Sequence, residues 1–226
     1  MDYDLSYPEA MTIIGGLSNP SKMPWYSWST SAYDCITGSR LREVKNSVCS
    51  DCYACKGCYV FSVVRSAQAR RLDALKDPRF EDAFVKVLTT LYEKSRKTYT
   101  KDGEVIKENR FRWHDSGDLQ SVNHLHIINN IAKRTPMINH WCPTREYGIL
   151  KKFLKKDTLA ENLLVRVSAA MIQQTFKERP LGLPFSTVGA LTDESLSQCP
   201  ASEQGNKCLN CTNCWDKTKD VNYAQH

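Results

Sequence analysis

The sequence predicts an α/β fold built on a parallel β-sheet that is open or curled into part of a barrel. Beyond residue 110, short apolar runs alternate with stretches of helical periodicity, in the order strand, helix, strand, helix, strand. This order favours right-handed crossovers and parallel neighbouring strands. The 226 residues, of which 41% are hydrophobic and 25% charged, are enough for one substantial core.

Two helices and a polar stretch precede the alternating part. The first helix, SAQARRLDALKD, ends at Asp77, because the following proline disfavours helical backbone. The second helix, residues 80–92, places its large apolar side chains on one face at helical spacing. Residues 94–110 are basic and polar around an Asp-Gly pair, which predicts a solvated hairpin or loop. An arm that binds nucleic acid is the alternative.

The alternating part supplies the sheet. Its predicted strands are FRWHDSGD, MINHWCPTRE, LLVRVSAAM and LPFSTVGA, and the helices between them are SVNHLHIINNIAKR and EYGILKKFLKK. We expect a single domain over residues 1–226. It would comprise a cysteine-rich N-terminal segment (25–61), an α/β core (62–190) and a cysteine-rich C-terminal segment (191–226).

The N-terminus and the composition indicate a cytoplasmic protein. The first residues, MDYDLSYPEAM, are acidic and lack the apolar region of a secretory signal. No apolar run approaches the ~18 residues of a membrane span, so no membrane partner is expected. In a reducing cytoplasm, the ten cysteines would serve as metal ligands or catalysts rather than as disulfides.

The cysteines fall into two groups whose spacing favours an iron–sulfur cluster. Residues 47–61 read SVCSDCYACKGCYVF and residues 199–215 read CPASEQGNKCLNCTNCW. Cysteines that repeat every three residues let one loop wrap a [4Fe–4S] cluster, as in bacterial ferredoxins. Zinc is usually held by two well-separated Cys-x2-Cys pairs, so it is the alternative, with redox-active or free thiols as a third reading. Cys142 lies inside a predicted strand and is expected to be a small buried residue.

Polar residues follow the predicted strands and are the candidate site residues. Because the carboxyl ends of parallel strands share one edge of a sheet, we expect these residues to meet in one crevice. An imidazole and two carboxylates around a glycine suit metal ligation, general acid–base catalysis or hydrogen bonding to a polar ligand. The candidates for catalysis are His114, Asp115, Asp118, Arg145 and Glu146, and those for cofactor binding are Ser116, Arg166 and Ser168.

Structural roles are the alternative for the residues at the strand ends. The stretch WHDSGD is also compatible with a capped turn in which Asp118 or Ser121 begins the next helix. Arg145 and Glu146 are also compatible with an ion pair at a helix start. The sequence therefore leaves catalytic and structural roles open for these residues.

Other charged residues of the core have more specific expectations. Arg166 lies in an otherwise buried strand, and a lone buried charge is costly. We therefore expect it to pair with an acid such as Asp115 or to reach an anionic ligand. His124 and His126 are expected on the surface of a helix.

Five stretches of the sequence, taken in order, resemble the bacteriophage family known as gene product 88. They are SVCSDCYACKGCYVF, FRWHDSGDLQSVNHL, HWCPTRE, LLVRVSA and CPASEQGNKCLNCTNCWD, and the similarity spans roughly residues 25–226. The resemblance implies a phage-encoded protein in the cytoplasm of an infected bacterium that holds an iron–sulfur cluster, and it implies no particular reaction. It also implies that Cys55 and Cys58 are extra thiols and that the metal ligands are Cys199, Cys208, Cys211, Cys214, Cys35, Cys49 and Cys52.

A weaker resemblance concerns architecture. Radical S-adenosylmethionine enzymes hold cluster cysteines in the loop after the first strand of a partial, TIM-like parallel barrel, and here WYSWSTSAYDC is a candidate first strand leading to Cys35. Three ligands, namely Cys35, Cys49 and Cys52, would leave one iron open to a substrate or to S-adenosylmethionine. The chain has Cys-x13-Cys-x2-Cys where that superfamily has Cys-x3-Cys-x2-Cys, which argues against S-adenosylmethionine.

Three functions follow from these observations. The first is a [4Fe–4S] protein with a radical-SAM-like barrel that acts as a redox or radical enzyme with an unidentified redox partner. The second is an electron carrier or sensor that has no substrate. Either protein would hold two clusters or a single cluster, for which Cys49 and Cys52 would combine with thiols of the C-terminal segment. The third is a zinc-stabilised protein that binds nucleic acid; the net charge of +6 permits it, although 31 basic against 25 acidic residues is a mild excess.

Overall fold

The computed structural model describes residues 4–189 and 193–225, and its centre is a parallel sheet of seven strands. In chain order the described strands are β1 (Ser27–Trp28), β2 (Thr98–Lys101), β3 (Glu104–Lys107), β4 (Arg110–Trp113), β5 (Asn139–Thr144), β6 (Leu163–Ser168), β7 (Phe185–Val188), β8 (Ser197–Gln198) and β9 (Val221–Tyr223). Strands β2 and β3 form a separate antiparallel hairpin. The other seven lie in the order β1-β4-β5-β6-β7-β9-β8, and every neighbouring pair is parallel.

Six α-helices accompany the strands in the described residues. They are α1 (Tyr7–Ile13), α2 (Ile36–Leu41), α3 (Ser62–Ala74), α4 (Phe80–Lys94), α5 (Val122–Arg134) and α6 (Tyr147–Leu154). Helices α3 to α6 confirm the helices predicted from periodicity. Helices α1 and α2 have at most seven residues each, too few for a periodic pattern to reveal them.

Side-chain caps explain where two of the helices begin. The Ser6 hydroxyl accepts a hydrogen bond from the Glu9 backbone N–H, and the Glu9 carboxylate accepts one from the Ser6 N–H, which forms a capping box at α1. At α5 the Ser121 hydroxyl accepts from the backbone N–H of His124 at 3.0 Å. Ser121, not Asp118, is therefore the cap of α5. A cap of this kind contributes about 1 kcal/mol.

One face of the sheet packs against the helices and forms the main core. Phe111 and Trp113 of β4 point into this core, because alternate residues of a strand share a face. The ring of Phe84 in α4 stacks on Trp113, with 4.6 Å between the ring centroids. All three side chains are fully buried, and burying each one contributes about 2 to 3 kcal/mol. We call this side of the sheet the helix face.

The opposite side, which we call the second face, is covered by the cysteine-rich C-terminal segment. Trp141 of β5 and Leu164 of β6 pack there against Cys214. The ring of Trp215 meets Trp141 edge-on, with 5.0 Å between centroids. Three arginines alternate with core residues along the strands and also belong to this face: Arg110, Arg112 and Arg166.

The predicted α/β class and parallel sheet are confirmed, but the sheet is open. No described residues of β1 and β8, the two edge strands, pair with each other, so the structure shows no closed barrel. Each edge strand has only two residues, which offers little backbone for a closing ladder. A radical-SAM-like or TIM-like curvature of the sheet stays a prediction.

The structure confirms most of the predicted strands and adds two that were not predicted. Strands β4 to β7 and the β2–β3 hairpin confirm the runs predicted between residues 94 and 190, whereas β1 covers only two residues of its predicted run. Strands β8 and β9 were not predicted. The predicted boundary between residues 190 and 191 lies outside the described residues. Among the described helices, none has the length and apolar character needed to cross a membrane.

Candidate functional site

The carboxyl ends of β4 and β5 bring Asp118, Arg145 and Glu146 together, as the parallel sheet predicts. One carboxylate oxygen of Asp118 accepts from the Thr144 hydroxyl at 2.6 Å, and the other accepts from the Arg145 backbone N–H at 2.8 Å. The Leu119 N–H also donates to Asp118, at 2.7 Å. Asp118 therefore locks the end of β5 to the turn that follows β4.

The carboxyl group of Asp118 is buried, and its surroundings act on its charge in two directions. Burial raises the pKa of Asp118 to about 6, whereas the hydrogen bonds from Arg145 and Thr144 act to lower it. Since all three of its partners are donors, the geometry suits the ionised carboxylate. Asp118 positions its neighbours and presents no free oxygen to a ligand.

Glu146 attaches the N-terminal cysteine segment to this edge of the sheet. One carboxylate oxygen accepts from the Thr37 backbone N–H at 2.7 Å, and the other accepts from the Thr37 hydroxyl at 2.8 Å. Thr37 lies two residues after Cys35. Glu146 is 4% exposed, so these two hydrogen bonds from Thr37 are shielded from water. Glu146 thus holds Cys35 close to the strand ends.

Three of the predicted metal ligands, Cys35, Cys49 and Cys52, lie close together here, and we call them the N-terminal thiol set. Burial raises the pKa of Cys35, and the neighbouring Cys49 and Cys52 thiols raise it further. Gly38 packs between two of the sulfurs, since a Cβ at this glycine would lie 3.5 Å from Cys35 Sγ and 3.6 Å from Cys49 Sγ. Cys55 lies beside Cys52.

The loop that carries Cys49 is held by the chain that follows β6. The Val48 N–H donates to the Ala170 carbonyl at 2.9 Å, and the Ile172 N–H donates to the Asn46 carbonyl at 2.9 Å. Arg145 joins the same region, because its Nε donates to the Ala169 carbonyl at 3.0 Å. The ends of β4, β5 and β6 therefore all contribute to the walls around the N-terminal thiol set.

Asp115 and Ser116 tie other elements to the sheet. The Ser116 hydroxyl donates to the Thr30 carbonyl and accepts from Gln68 Nε2, both at 2.7 Å. The backbone carbonyl of Asp115 accepts from the Tyr53 hydroxyl. One carboxylate oxygen of Asp115 is buried without a hydrogen-bond partner among the described residues. Asp115 is therefore more available to a ligand than Ser116.

His114 lies on the helix face, beneath the strand ends, together with Cys142 and His124. His114 Nδ1 is 3.7 Å from Cys142 Sγ. The imidazole rings of His114 and His124 meet edge-on, with 5.3 Å between their centroids. Burial lowers the pKa of His124 to about 3 and also lowers that of His114. The predicted surface position of His124 is wrong, because the side chain is 2% exposed. The expectation that Cys142 is buried is confirmed.

The remaining predicted ligands form a separate group on the second face, which we call the C-terminal thiol set: Cys199, Cys208, Cys211 and Cys214. Burial raises the pKa values of Cys199, Cys208 and Cys214, and other thiols of the set raise each of them further. The Cys214 sulfur lies 3.2 Å from the Tyr223 hydroxyl. No described contact joins the two thiol sets, so the seven predicted ligands fall into groups of three and four.

Arg166 anchors the C-terminal thiol set and does not reach the carboxyl edge. Its guanidinium, which is 0% exposed, forms no ion pair with a described carboxylate. It donates instead to five backbone carbonyls, those of Phe185, Asn213, Cys214, Asp216 and Lys219, at 2.8 to 3.5 Å. The expected pairing with an acid such as Asp115 is wrong for this reason, and the alternative, contact with an anionic ligand, stays a prediction. Ser168 lies on the same face, with its hydroxyl 3.5 Å from that of Ser186.

A family model matches most of this chain. It is described as Gene product 88, and it covers residues 8–217. The chain belongs to the Gene product 88 family. The match confirms the predicted phage family and begins earlier than the predicted similarity at residue 25. No curated protein and no solved structure matches this family member.

Arg112 is a site residue of this Gene product 88 protein that the sequence analysis missed. Its guanidinium lies 4.6 Å from the centre of the Trp141 ring, and its charge acts on Cys208 of one set and on Tyr53, next to Cys52, of the other. It forms no ion pair with a described carboxylate. The strand pattern Arg-Phe-Arg-Trp could have revealed it, because it places two arginines on the face opposite the aromatic core.

The cysteines of the Gene product 88 protein are not joined to one another by disulfide bonds, since all ten are free. Within the described ranges, no three His, Cys, Asp or Glu side chains are arranged to hold one metal ion. A tetrahedral zinc site needs four sulfurs about 3.8 Å apart, each ~2.3 Å from the ion. In a [4Fe–4S] cluster each thiolate binds a different iron, so the sulfurs stand farther apart.

Proposed function

We propose that this Gene product 88 protein is an iron–sulfur protein with two separate [4Fe–4S] sites, one at each thiol set. The proposal rests on the division of the seven predicted ligands into two groups, one at the carboxyl edge of the sheet and one on its second face. Four thiols would close the C-terminal site, and three would leave one iron of the N-terminal site without a protein ligand. The notion of a single core shared by both ends of the chain is not supported by this arrangement.

Charge supports a metal–thiolate group at the C-terminal set. Two guanidiniums, those of Arg112 and Arg166, act on these thiols, and neither has a carboxylate ion pair among the described residues. Backbone carbonyls accept from Arg166, and the charge of Asp115 acts on Arg112, but burying guanidiniums that form no ion pair is still costly. Four thiolates around a [4Fe–4S] core with two positive charges carry a net charge of about −2, which would balance both arginines.

The N-terminal set has the surroundings of a reactive site. It lies at the carboxyl ends of parallel strands, where α/β proteins bind ligands. When bound there, a cluster with three thiolate ligands would supply an iron that can take a further ligand and exchange single electrons. Glu146 would hold the Cys35 loop in place, Asp118 would fix the backbone of Arg145, and the unpaired oxygen of Asp115 would be available to a polar substrate.

Among the predicted functions, this arrangement favours a redox or radical enzyme with a radical-SAM-like site over a simple electron carrier. An electron carrier needs only a closed cluster, whereas a cluster held by three thiols at the N-terminal set would have one iron open to a substrate. Dependence on S-adenosylmethionine remains a secondary proposal, because the cysteine spacing differs from that of the superfamily. The zinc-stabilised, nucleic-acid-binding alternative is less favoured, because 31 basic against 25 acidic residues is a mild excess and neither cysteine group contains two well-separated Cys-x2-Cys pairs.

Anaerobic reconstitution with iron and sulfide tests the proposal. We expect a brown protein that absorbs near ~400 nm and holds about eight irons and eight sulfides per chain. Colourless protein with stoichiometric zinc would contradict the proposal. Reduction of the reconstituted protein with and without S-adenosylmethionine then separates the enzyme classes. Cleavage of S-adenosylmethionine would support radical chemistry, and reversible reduction without cleavage would favour an electron carrier.

A further inference from the structure

At the amino-terminal end of the sheet, away from the carboxyl edge, lies a cleft of about 300 Å³. Three parts of the chain form its walls: the segment before β1, the start of the β2–β3 hairpin, and the loop around Lys207 in the C-terminal segment. These walls are bonded to one another. The Cys208 N–H donates to the Lys22 carbonyl at 3.1 Å, and the Glu108 N–H donates to the Lys97 carbonyl at 2.8 Å.

The cleft is strongly positive. Lys22, Lys97 and Lys207 line it, and all three side chains are exposed. None of them forms an ion pair with a described residue. Like charges around a concave surface repel each other and raise the local potential, which attracts anions. The cleft therefore carries three uncompensated positive charges.

The acid that lines the cleft does not neutralise the lysines. Glu108 is 3% exposed, and both of its carboxylate oxygens accept from Arg110, at 2.9 Å from Nε and 2.7 Å from Nη2. Arg110 also donates to the Cys211 carbonyl at 3.0 Å and stacks on Tyr99. The Arg110–Glu108 ion pair therefore adds no net charge to the cleft. It connects the hairpin residue Tyr99 to the C-terminal loop that contains Cys211.

We propose that this cleft binds a compact anion with two or more linked phosphate groups, such as the phosphate chain of a nucleotide. Lysine ammonium groups bind phosphate as point charges, and two phosphate groups carry about −3 at neutral pH, which matches the three lysines. Hydroxyl and amide groups of Ser21, Thr98 and Asn210 line the same cleft and can donate to phosphate oxygens. The volume lies at the lower end of small-molecule sites. The proposal involves no metal and is independent of the iron–sulfur proposal.

Calorimetric titration of the full-length protein with phosphate, pyrophosphate and tripolyphosphate tests the site. We expect affinity to rise along this series and to fall about tenfold or more in the triple variant Lys22→Gln, Lys97→Gln, Lys207→Gln, because each lysine neutralises phosphate charge. A matched triple variant, Lys86→Gln, Lys152→Gln, Lys155→Gln, removes the same charge from exposed positions outside the cleft. It should bind tripolyphosphate like the unmodified protein.

Three results would overturn the proposal. The first is the absence of tripolyphosphate binding, and the second is an equal loss of affinity in both triple variants, which would indicate net charge alone. The third concerns a single-stranded oligonucleotide of about 15 nucleotides. If it binds through the three cleft lysines and tripolyphosphate does not compete, the cleft contacts a nucleic-acid chain and not a compact ligand.

Discussion

The two thiol sets use the same residue in similar spacings, yet the protein holds them by different means. Loop contacts hold the N-terminal set at the carboxyl edge, through Glu146 and Thr37 and through the bridge between Ser47 and Met171. A buried strand residue, Arg166, holds the C-terminal set against the second face.

Under the proposed function, this difference separates a reactive site from a structural one. Ionisable side chains at the strand ends act on the N-terminal set, namely Asp118, Arg145 and Glu146, so a ligand there would meet Arg145. Guanidiniums and the indole rings of Trp141 and Trp215 surround the C-terminal set, which also covers one side of the sheet. We therefore expect damage to the C-terminal set to cost more stability than damage to the N-terminal set.

The largest effect is expected from Arg166→Met. Methionine is of similar length but donates no hydrogen bond, so five backbone carbonyls lose their donor. We expect the free energy of unfolding to fall by about 3 to 5 kcal/mol, measured by urea denaturation. Arg166→Lys, which keeps the charge and three donors, should lose less.

Arg179→Met is the matched control for this change. Arg179 also donates to the C-terminal segment, at the carbonyls of Lys217 and Thr218, but its side chain is 34% exposed. Its loss should cost about 1 kcal/mol or less, because water replaces exposed hydrogen bonds. Equal losses at both arginines would contradict a special role for Arg166.

The stability of the helix face is expected to depend on pH through His140. Burial lowers the pKa of His140 to about 3 from its ordinary value of 6.5, so the unfolded chain binds more protons between these values. The contribution of His140 to the free energy of unfolding is therefore fully present above pH 6.5 and is lost as the pH falls. His140 Nδ1 accepts from Trp113 Nε1 at 3.1 Å, a bond that protonation of Nδ1 would break.

His140→Gln should flatten this acid sensitivity. Glutamine offers an acceptor to Trp113 and a donor to Thr135 without titrating. Between pH 6.5 and 5, we expect the unmodified protein to lose about 2 kcal/mol more than the variant, measured by denaturant midpoints. Identical pH profiles for the two proteins would show that His140 does not cause the loss.

A smaller, local effect is expected from Gly38→Ala. The new methyl group would lie 2.9 Å from Cys35 Cβ, so α2 and the cysteines must shift. We expect a loss of about 1 to 2 kcal/mol and weakened cluster assembly at the N-terminal set, measured as iron per chain. Gly148→Ala is the control, because no atom lies within 4 Å of its new methyl group. Full iron content in Gly38→Ala would contradict the proposed packing.

The smallest effect is expected from Glu146→Gln. A glutamine side chain has one carbonyl oxygen, so one of the two donors of Thr37 loses its acceptor. The expected loss is about 1 kcal/mol, measured by thermal unfolding, with slower cluster assembly at the N-terminal set. Glu178→Gln, an exposed site, should leave both measurements unchanged. A stability equal to the unmodified protein would show that Glu146 does not hold the Cys35 loop.

Much of the fold could be predicted because its elements have local patterns. Helices α4 and α5 carry apolar stripes, and β6 is a run of branched residues, so each is visible in a short window. Strands β1, β8 and β9 have two or three residues and lie beside cysteine-rich loops, where no period can develop. Their positions depend on pairing with distant strands.

The site was predicted in part, for a related reason. Asp118, Arg145 and Glu146 meet because parallel strands share one edge, which sequence order alone reveals. The separation of the thiol sets depends on which face the C-terminal segment crosses, and spacing carries no such information. His124 could have been placed correctly, because it lies four residues before Ile128 on the buried stripe of α5.

The central claim is that the two thiol sets hold separate clusters, and iron content in two cysteine variants tests it most directly. After anaerobic reconstitution, Cys52→Ala and Cys208→Ala should each lose about half of the iron and sulfide, and the double variant should lose nearly all of it. Cys58→Ala, which removes an exposed thiol, should keep the full content. Loss of all iron in either single variant would contradict the claim, because it would show one cluster shared by both sets.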